Sequence, residues 1–430
     1  MIDPRIRRRD IHRSLGLAAA ALGLGTAVTG CSDESGVVTL NFFQFKGEAL
    51  EDFNAIIADF EAANPDIRVV QNQVAESETA IRTMLVREDV PDVITLNANG
   101  GLGQLMRAGV FHDFSGDPLV DEISPLVQDI LADIGFADGE VNALGYVNNA
   151  NGIVYNRTIF EEQGLEVPET WDELIAVCER LKAAGITPFY GSLGDAASTL
   201  PSFNALGAYP AGDDFFDRMR DEGEDVGPDS PVSFEADFPG ALERQSQLYG
   251  YTQEGSRGGS YDEGNAAFAN GEVAMHLQGI WSLSPIQDMN PDIDASMFPY
   301  PWGDDPDERM LVSGVDVAVL IGRDTPHFEE AHRFVEYLFD RGVMEEFAAS
   351  QNMIPSLEAA EWSDGAALQA LKPFFDEERI TGFIDHQIPP SIPLASTIQQ
   401  AMLTGDHESA LATLDQEWAN VAARTTESGD

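Results

Sequence analysis

Lysine is nearly missing from this 430-residue chain: Lys46, Lys182 and Lys372 are the whole complement, and basic residues number 24 against 74 Asp and Glu. The formal net charge is −50. A surface of that sign repels phosphodiester backbones and anionic headgroups, which excludes nucleic acid as a partner and any membrane contact resting on basic patches. The acids are spread along the chain rather than gathered in a tail, which suits a solvated surface in a saline or alkaline habitat, where salt screens self-repulsion. Where they cluster, at Asp213-Asp214, 221–225 and 304–308, the alternating ligands of an EF-hand loop are missing. Cysteine is scarce, with Cys31 and Cys178 alone, too few for a disulfide framework. Beyond the N-terminal segment no apolar run approaches the ~18 residues of a membrane-spanning helix. Catalytic signatures are missing too: no Gly-x-Ser-x-Gly elbow, no His-Glu-x-x-His, no metal-spaced Cys or His cluster, no Walker or dinucleotide glycine motif. No metal and no cofactor is expected.

The N-terminus carries a different pattern. Arg5, Arg7, Arg8 and Arg9 precede an apolar Leu, Ala and Gly core from Leu15 to Val28, too short to span a bilayer comfortably, and Val28-Thr29-Gly30-Cys31 follows. The arrangement resembles a bacterial lipoprotein signal, cleaved before a cysteine that is then acylated. It predicts a signal peptide over 1–30, a lipidated tether over 31–36 with lipid on Cys31, and an exported protein held at the extracellular face of the cell membrane. Arg8-Arg9-Asp10-Ile11-His12-Arg13 resembles part of a twin-arginine export signal. Lipid on Cys31 leaves Cys178 without a partner, and its apolar-side position in the helical pattern from Trp171 predicts a buried structural thiol.

Strand and helix patterns then alternate. Val37 to Phe43 reads as a buried strand and Glu48 to Ala62 as an amphipathic helix, followed by a strand over 67–74, a helix over 80–87 and a strand over 91–96. Further on, 153–156 reads as a strand. Thr170 is a plausible N-cap for a helix to Ala184, 271–277 and 317–321 read as strands, and 328–347, 368–375 and 397–421 as helices. The alternation argues for an α/β fold with a mainly parallel sheet, in which ligands bind beyond the carboxyl ends of strands. That singles out the loops at Gln44 and Lys46 and at Asn97 and Asn99. Asn149 and Asn151, with Asn148, precede the Tyr155 strand where a hinge turn is expected.

Several blocks resemble the family 1 extracellular solute-binding proteins of ABC importers: Pro91-Asp92-Val93-Ile94, Tyr155-Asn156-Arg157-Thr158-Ile159-Phe160, Pro168-Glu169-Thr170-Trp171-Asp172-Glu173-Leu174, and Phe268-Ala269-Asn270-Gly271-Glu272-Val273-Ala274-Met275 with Gly279-Ile280-Trp281. The resemblance implies a type II periplasmic-binding-protein-like fold, each lobe a mainly parallel sheet flanked by helices, with the ligand cleft at the hinge. The lobes would comprise 37–147 with 313–354, and 148–312 with 355–430. It implies a monomer that captures a solute and delivers it to permease subunits driven by a cytoplasmic ATPase.

A sugar site needs aromatic platforms and amide or carboxylate groups at fixed angles. Trp281 resembles the family's cleft tryptophan after a glycine, and Trp171 reads as core. Asp195, and Gly314 with Asp316, sit on polar turns where a carboxylate can hold paired hydroxyls or stabilise the turn itself. Lys46 alone brings positive charge to this set, which favours a neutral mono- or oligosaccharide over an acidic ligand. The alternatives are a polyol or glycerophosphodiester binder, or a glycoside hydrolase-like enzyme, since a sugar cleft with two carboxylates also describes a glycosidase.

Overall fold

The computed structural model describes residues 36–428 apart from 75, 76, 88 and 213. The signal segment, Cys31 and most of the tether lie outside the described residues. Ten strands are described: β1 Val38–Gln44, β2 Ile67–Gln73, β3 Val93–Leu96, β4 Leu144–Asn156, β5 Thr187–Phe189, β6 Val273–Gly279, β7 Ala295–Phe298, β8 Leu311–Ile321, β9 Ile354–Pro355 and β10 Ile380–Thr381. Seven of them lie in the order β2-β1-β3-β8-β4-β6-β5, with β7 and β9 also on β4 and β10 on β8.

β1 pairs in parallel with β2 and β3, and β5 with β6, as strand–helix–strand crossovers require. In the middle, β8 runs antiparallel to both β3 and β4, and β4 antiparallel to β6. Two apolar cores flank this arrangement. In the first, the helix Leu50–Ala63 turns Phe53, Ile57 and Phe60 inward, and Phe42, Phe53, Phe60 and Phe334 pack ring on ring. The second holds Leu174, Val177, Cys178 and Leu181 of one helix against Phe203, Phe215 and Phe238. Both long central strands serve the two cores, β4 through Val147 and Ile153, β8 through Val317 and Val312.

Some local readings hold in detail. Thr170 Oγ1 accepts from Glu173 N, Glu173 returns a carboxylate to Thr170 N, and this capping box starts the helix Trp171–Ala183. Cys178 is buried, and burial pushes its thiol pKa up to about 12. Others change. The Asn148–Asn151 stretch, expected as a hinge turn, lies inside the continuous 13-residue strand β4, because β8 supplies a complete ladder there, Asn149 opposite Gly314 and Asn151 opposite Val312. The single helix expected over 397–421 is two, Leu394–Thr404 and His407–Ser428, broken where Gly405 adopts a left-handed φ of +76°. The pattern over 328–347 likewise splits, because Asp340 caps a new helix, Arg341–Ser350, accepting from Gly342 N at 2.9 Å.

His276 on β6 is 1% exposed, with Nε2 3.1 Å from Asn265 Oδ1 and Nδ1 without a partner. Burial lowers its pKa to about 4. The unfolded chain therefore binds this proton below about 6.5 while the native state does not, so stability is lost as pH falls from there toward 4. We expect His276→Gln to flatten this part of the profile by up to about 3 kcal/mol. Urea melts of both proteins between pH 7 and 4 measure it, and parallel profiles would refute the assignment.

Candidate functional site

Four of the nominated residues meet around one cavity of about 310 Å³: Asn97, Asn149, Asp195 and Trp281. Each arrives on a different element. Asn97 follows β3, Asn149 is in mid-β4, Asp195 is in the turn before the helix Leu200–Ala211, and Trp281 lies in the short 3-10 turn that follows β6.

Trp281 packs against both hydrophobic cores, which places it at their junction. Its Nε1 donates to Gln278 Oε1 at 3.2 Å and its ring lies 6.3 Å from that of Phe383. Gly279 makes room for it: a Cβ there would stand 2.2 Å from Trp281 Cζ3 and 2.4 Å from the Ala150 carbonyl. The glycine of the Gly-x-Trp pattern is thus a packing requirement.

Hydrogen bonds fix which atoms remain for a ligand. Asn97 Nδ2 donates to the Asp316 carbonyl at 3.2 Å, so its oxygen is left over. The Asn149 amide donates to Asp316 Oδ1 at 3.1 Å, and Asn149 Oδ1 has no partner. Gln278, whose oxygen takes the indole proton, keeps its Nε2 as a donor. Asp195 accepts from Ala197 N at 3.2 Å and Ser198 Oγ at 3.1 Å, which fixes the carboxylate at the rim. No lysine or arginine lines the cavity.

Other nominated residues stand elsewhere. Lys46, expected to bring positive charge to the site, is 5% exposed, off the cavity, and ion-paired to Glu48 at 2.8 Å and Asp316 at 2.9 Å. Burial alone would lower its pKa, but the two carboxylates outweigh it and the pKa is raised. Asp316 likewise lies behind the lining. Asn99 is a helix cap, its Oδ1 accepting from Gly101 N at 2.9 Å and Leu102 N at 3.1 Å, with Nδ2 on Glu78. Gln44 is buried against Gln71, and Asn151 ties β4 to the Pro201 carbonyl at 2.7 Å. Gly314 serves by absence, since a Cβ would press to 2.7 Å from Phe383 Cδ2. Outside the nominated set, Trp302 is stacked on Tyr209 with Arg244 over its ring.

Phe383, Asp385 and His386 also line the wall, and sequence reasoning passed over all three. They sit in a short segment between helices without periodicity, and the Phe-x-x-His spacing offers no strong cue. His386 stacks on Phe383 at 5.1 Å; burial lowers its pKa, against the Asp385 charge. Asp385 N donates to Asn204 Oδ1 at 2.9 Å. A larger cavity of about 820 Å³ shares Phe383 and His386 with it and is lined by Arg107, Asp133, Asp217 and Arg220 among others. It contains none of the nominated residues. The smaller cavity is the candidate site because the aromatic platform and the unpartnered amide converge there.

A family model described as bacterial extracellular solute-binding protein matches residues 47–345. The chain belongs to this family. Among curated relatives of this solute-binding protein, the multiple sugar-binding protein of Streptococcus mutans is 28% identical over 342 residues, 77% of this chain and 78% of the relative. The sn-glycerol-3-phosphate-binding periplasmic protein UgpB of Shigella flexneri is 24% identical over 415 residues, 91% and 86% of the two chains. Among solved structures, the apo form of RafE from Streptococcus pneumoniae superimposes with a TM-score of 0.77 at 25% identity, covering 91% of this chain and all of RafE, and RafE has also been solved with raffinose. These likenesses agree with a two-lobed α/β binding fold. Among the described residues no helix is long and apolar enough to cross a membrane.

Proposed function

We propose that this solute-binding protein captures a sugar in the 310 Å³ cavity and hands it to the permease of an ABC importer. The observation that carries the reading is the lining: an indole face beside Asn97, Asn149 and Gln278, with no basic side chain except the half-buried His386, whose pKa is lowered by desolvation. Flat apolar sugar faces stack on such a ring, and hydroxyls match amides whose free atoms are fixed. Raffinose in the RafE complex, and the multiple sugars in the name of the Streptococcus mutans relative, support the same class. Ligand bridging the two cores would shift the population toward a closed form that docks on the permease. Lipid on Cys31 would keep a monomer beside its permease while leaving the lobes free, with 37–147 and 313–354 forming one lobe and 148–312 and 355–430 the other. The protein acts by stoichiometric binding rather than turnover. Both Asp195 carboxylate oxygens accept hydrogen bonds, an arrangement unlike that of a general acid.

A phosphorylated polyol is the second reading, drawn from UgpB and from Arg107 and Arg220 in the larger cavity. Arg220 is already paired with Asp217 at 2.7 Å, and Lys46 is held by two carboxylates. Calorimetry against raffinose, maltotriose, galactose and sn-glycerol 3-phosphate separates the readings. Saturable binding of a sugar at one site per chain, with a change in tryptophan fluorescence, is expected. Tighter binding of glycerol phosphate than of every sugar would overturn the proposal, and release of smaller sugars with turnover would make the protein an enzyme.

A further inference from the structure

Asp316 stands at a break in the ladder between β4 and β8. Val317 pairs with Val147 and Val315 with Asn148, so Asp316 is passed over on β8, as Tyr146 is on β4. Bulges of this kind re-aim a side chain out of the strand's alternation. The re-aimed carboxylate, on a residue 6% exposed, meets two groups: Lys46 Nζ at 2.9 Å and Asn149 Nδ2 at 3.1 Å. Its backbone carbonyl holds Asn97 Nδ2 at 3.2 Å. One residue thus fastens two amides of the cavity wall without lining the cavity itself.

The chemistry of the groups sets a direction. An ammonium only donates and a carboxylate only accepts. The Lys46 ammonium is ion-paired to one Asp316 oxygen, the other accepts from Asn149 Nδ2, and Asn149 therefore turns its nitrogen toward the strand. Its oxygen is the remaining atom, buried and without a partner, on a residue 8% exposed that lines the cavity. A buried acceptor left unmade is costly, and a ligand hydroxyl would relieve it.

We propose that Lys46 and Asp316 are positioning residues: their ion pair holds the Asn149 carbonyl oxygen as the acceptor for a sugar hydroxyl, and so selects ligands that present a donor at that point. This rests on the cavity being the sugar site. Lys46 then acts two steps from the ligand, which accounts for a buried lysine in a chain that has almost none.

Galactose and raffinose, each beside its set of monodeoxyfluoro analogues, test it by calorimetry, since fluorine cannot donate. The wild-type protein should bind one analogue in the set about tenfold more weakly than its parent, the loss of one hydrogen bond to a buried acceptor. In Asp316→Asn, Lys46 takes the new amide oxygen and the new NH₂ faces Asn149, whose oxygen must turn to meet it. The parent sugar should then bind more weakly and the fluorine penalty should shrink below about threefold. In Lys46→Met/Asp316→Asn the new amide oxygen is free to accept from Asn149 again, and both the parent affinity and the penalty should return. A merely structural pair would make the double variant worse than the single one, and that result, or an unchanged penalty in Asp316→Asn, overturns the proposal. So does a wild-type protein indifferent to every fluorine. Failure of both parent sugars to bind the wild type instead brings down the sugar site itself. If Asp316→Asn does not fold, a neutron structure of the wild-type protein with raffinose decides the matter: deuterons of the Asn149 amide on the Asp316 side support the proposal, and on the cavity side they refute it.

Discussion

Trp281→Ala should weaken binding of the tightest sugar by about 1–3 kcal/mol, through lost stacking and lost apolar burial. The substitution removes more than a surface. The indole donates to Gln278 Oε1 at 3.2 Å, so the amide loses the bond that sets its orientation. Phe383 loses the ring 6.3 Å from its own. Trp281→Phe restores an aromatic face without the donor and should fall between the two proteins. Calorimetry with raffinose and galactose measures the series, and an affinity unchanged in Trp281→Ala would remove the residue from the site.

The second large effect concerns stability alone. Phe334, on the helix Phe328–Leu338, is wholly buried, with its ring 5.4 Å from Phe42 and 5.0 Å from Phe60. Phe334→Ala leaves a cavity among rings anchored on β1 and on the helix Leu50–Ala63, elements that cannot both move in to fill it. A loss of about 3–5 kcal/mol is expected, the usual range for a buried phenylalanine. Urea denaturation would show it as a lower midpoint with little change in slope. Phe334 does not line the cavity, so the folded fraction should bind sugar with wild-type affinity. A loss below about 1 kcal/mol would mean that the first core collapses around the gap more readily than its ring contacts indicate.

The elements legible in the sequence were those whose cause is local. The helix from Trp171 starts where Thr170 and Glu173 can cap each other three residues apart, and the first three strands are short runs, alternating in β1 and β2 and continuously buried in β3, between turn residues. Trp281 was legible for a similar reason, because the glycine that admits its ring lies two residues before it. The Asn148–Asn151 stretch misled, because asparagine at a strand end and asparagine within a strand have the same local chemistry. Only the ladder with β8 distinguishes them. Asn97 and Asn99, two residues apart in one loop, ended in different roles: Asn97 on the cavity wall, Asn99 as the cap of a helix.

Composition and motif alone therefore carried the family resemblance, the α/β alternation, the large negative charge and the choice of Trp281 as the candidate platform. Those follow from residue chemistry and from contacts a few positions apart. Tertiary structure decided which nominated polar groups face the cavity and which stand behind it. Lys46 is withdrawn from the site by a carboxylate on β8, and Asn149 is oriented by that same carboxylate 167 residues further along the chain. A side chain's free donor or acceptor is whatever its partners leave over, and partners that distant are set by the pairing of strands, which no local stretch of sequence encodes.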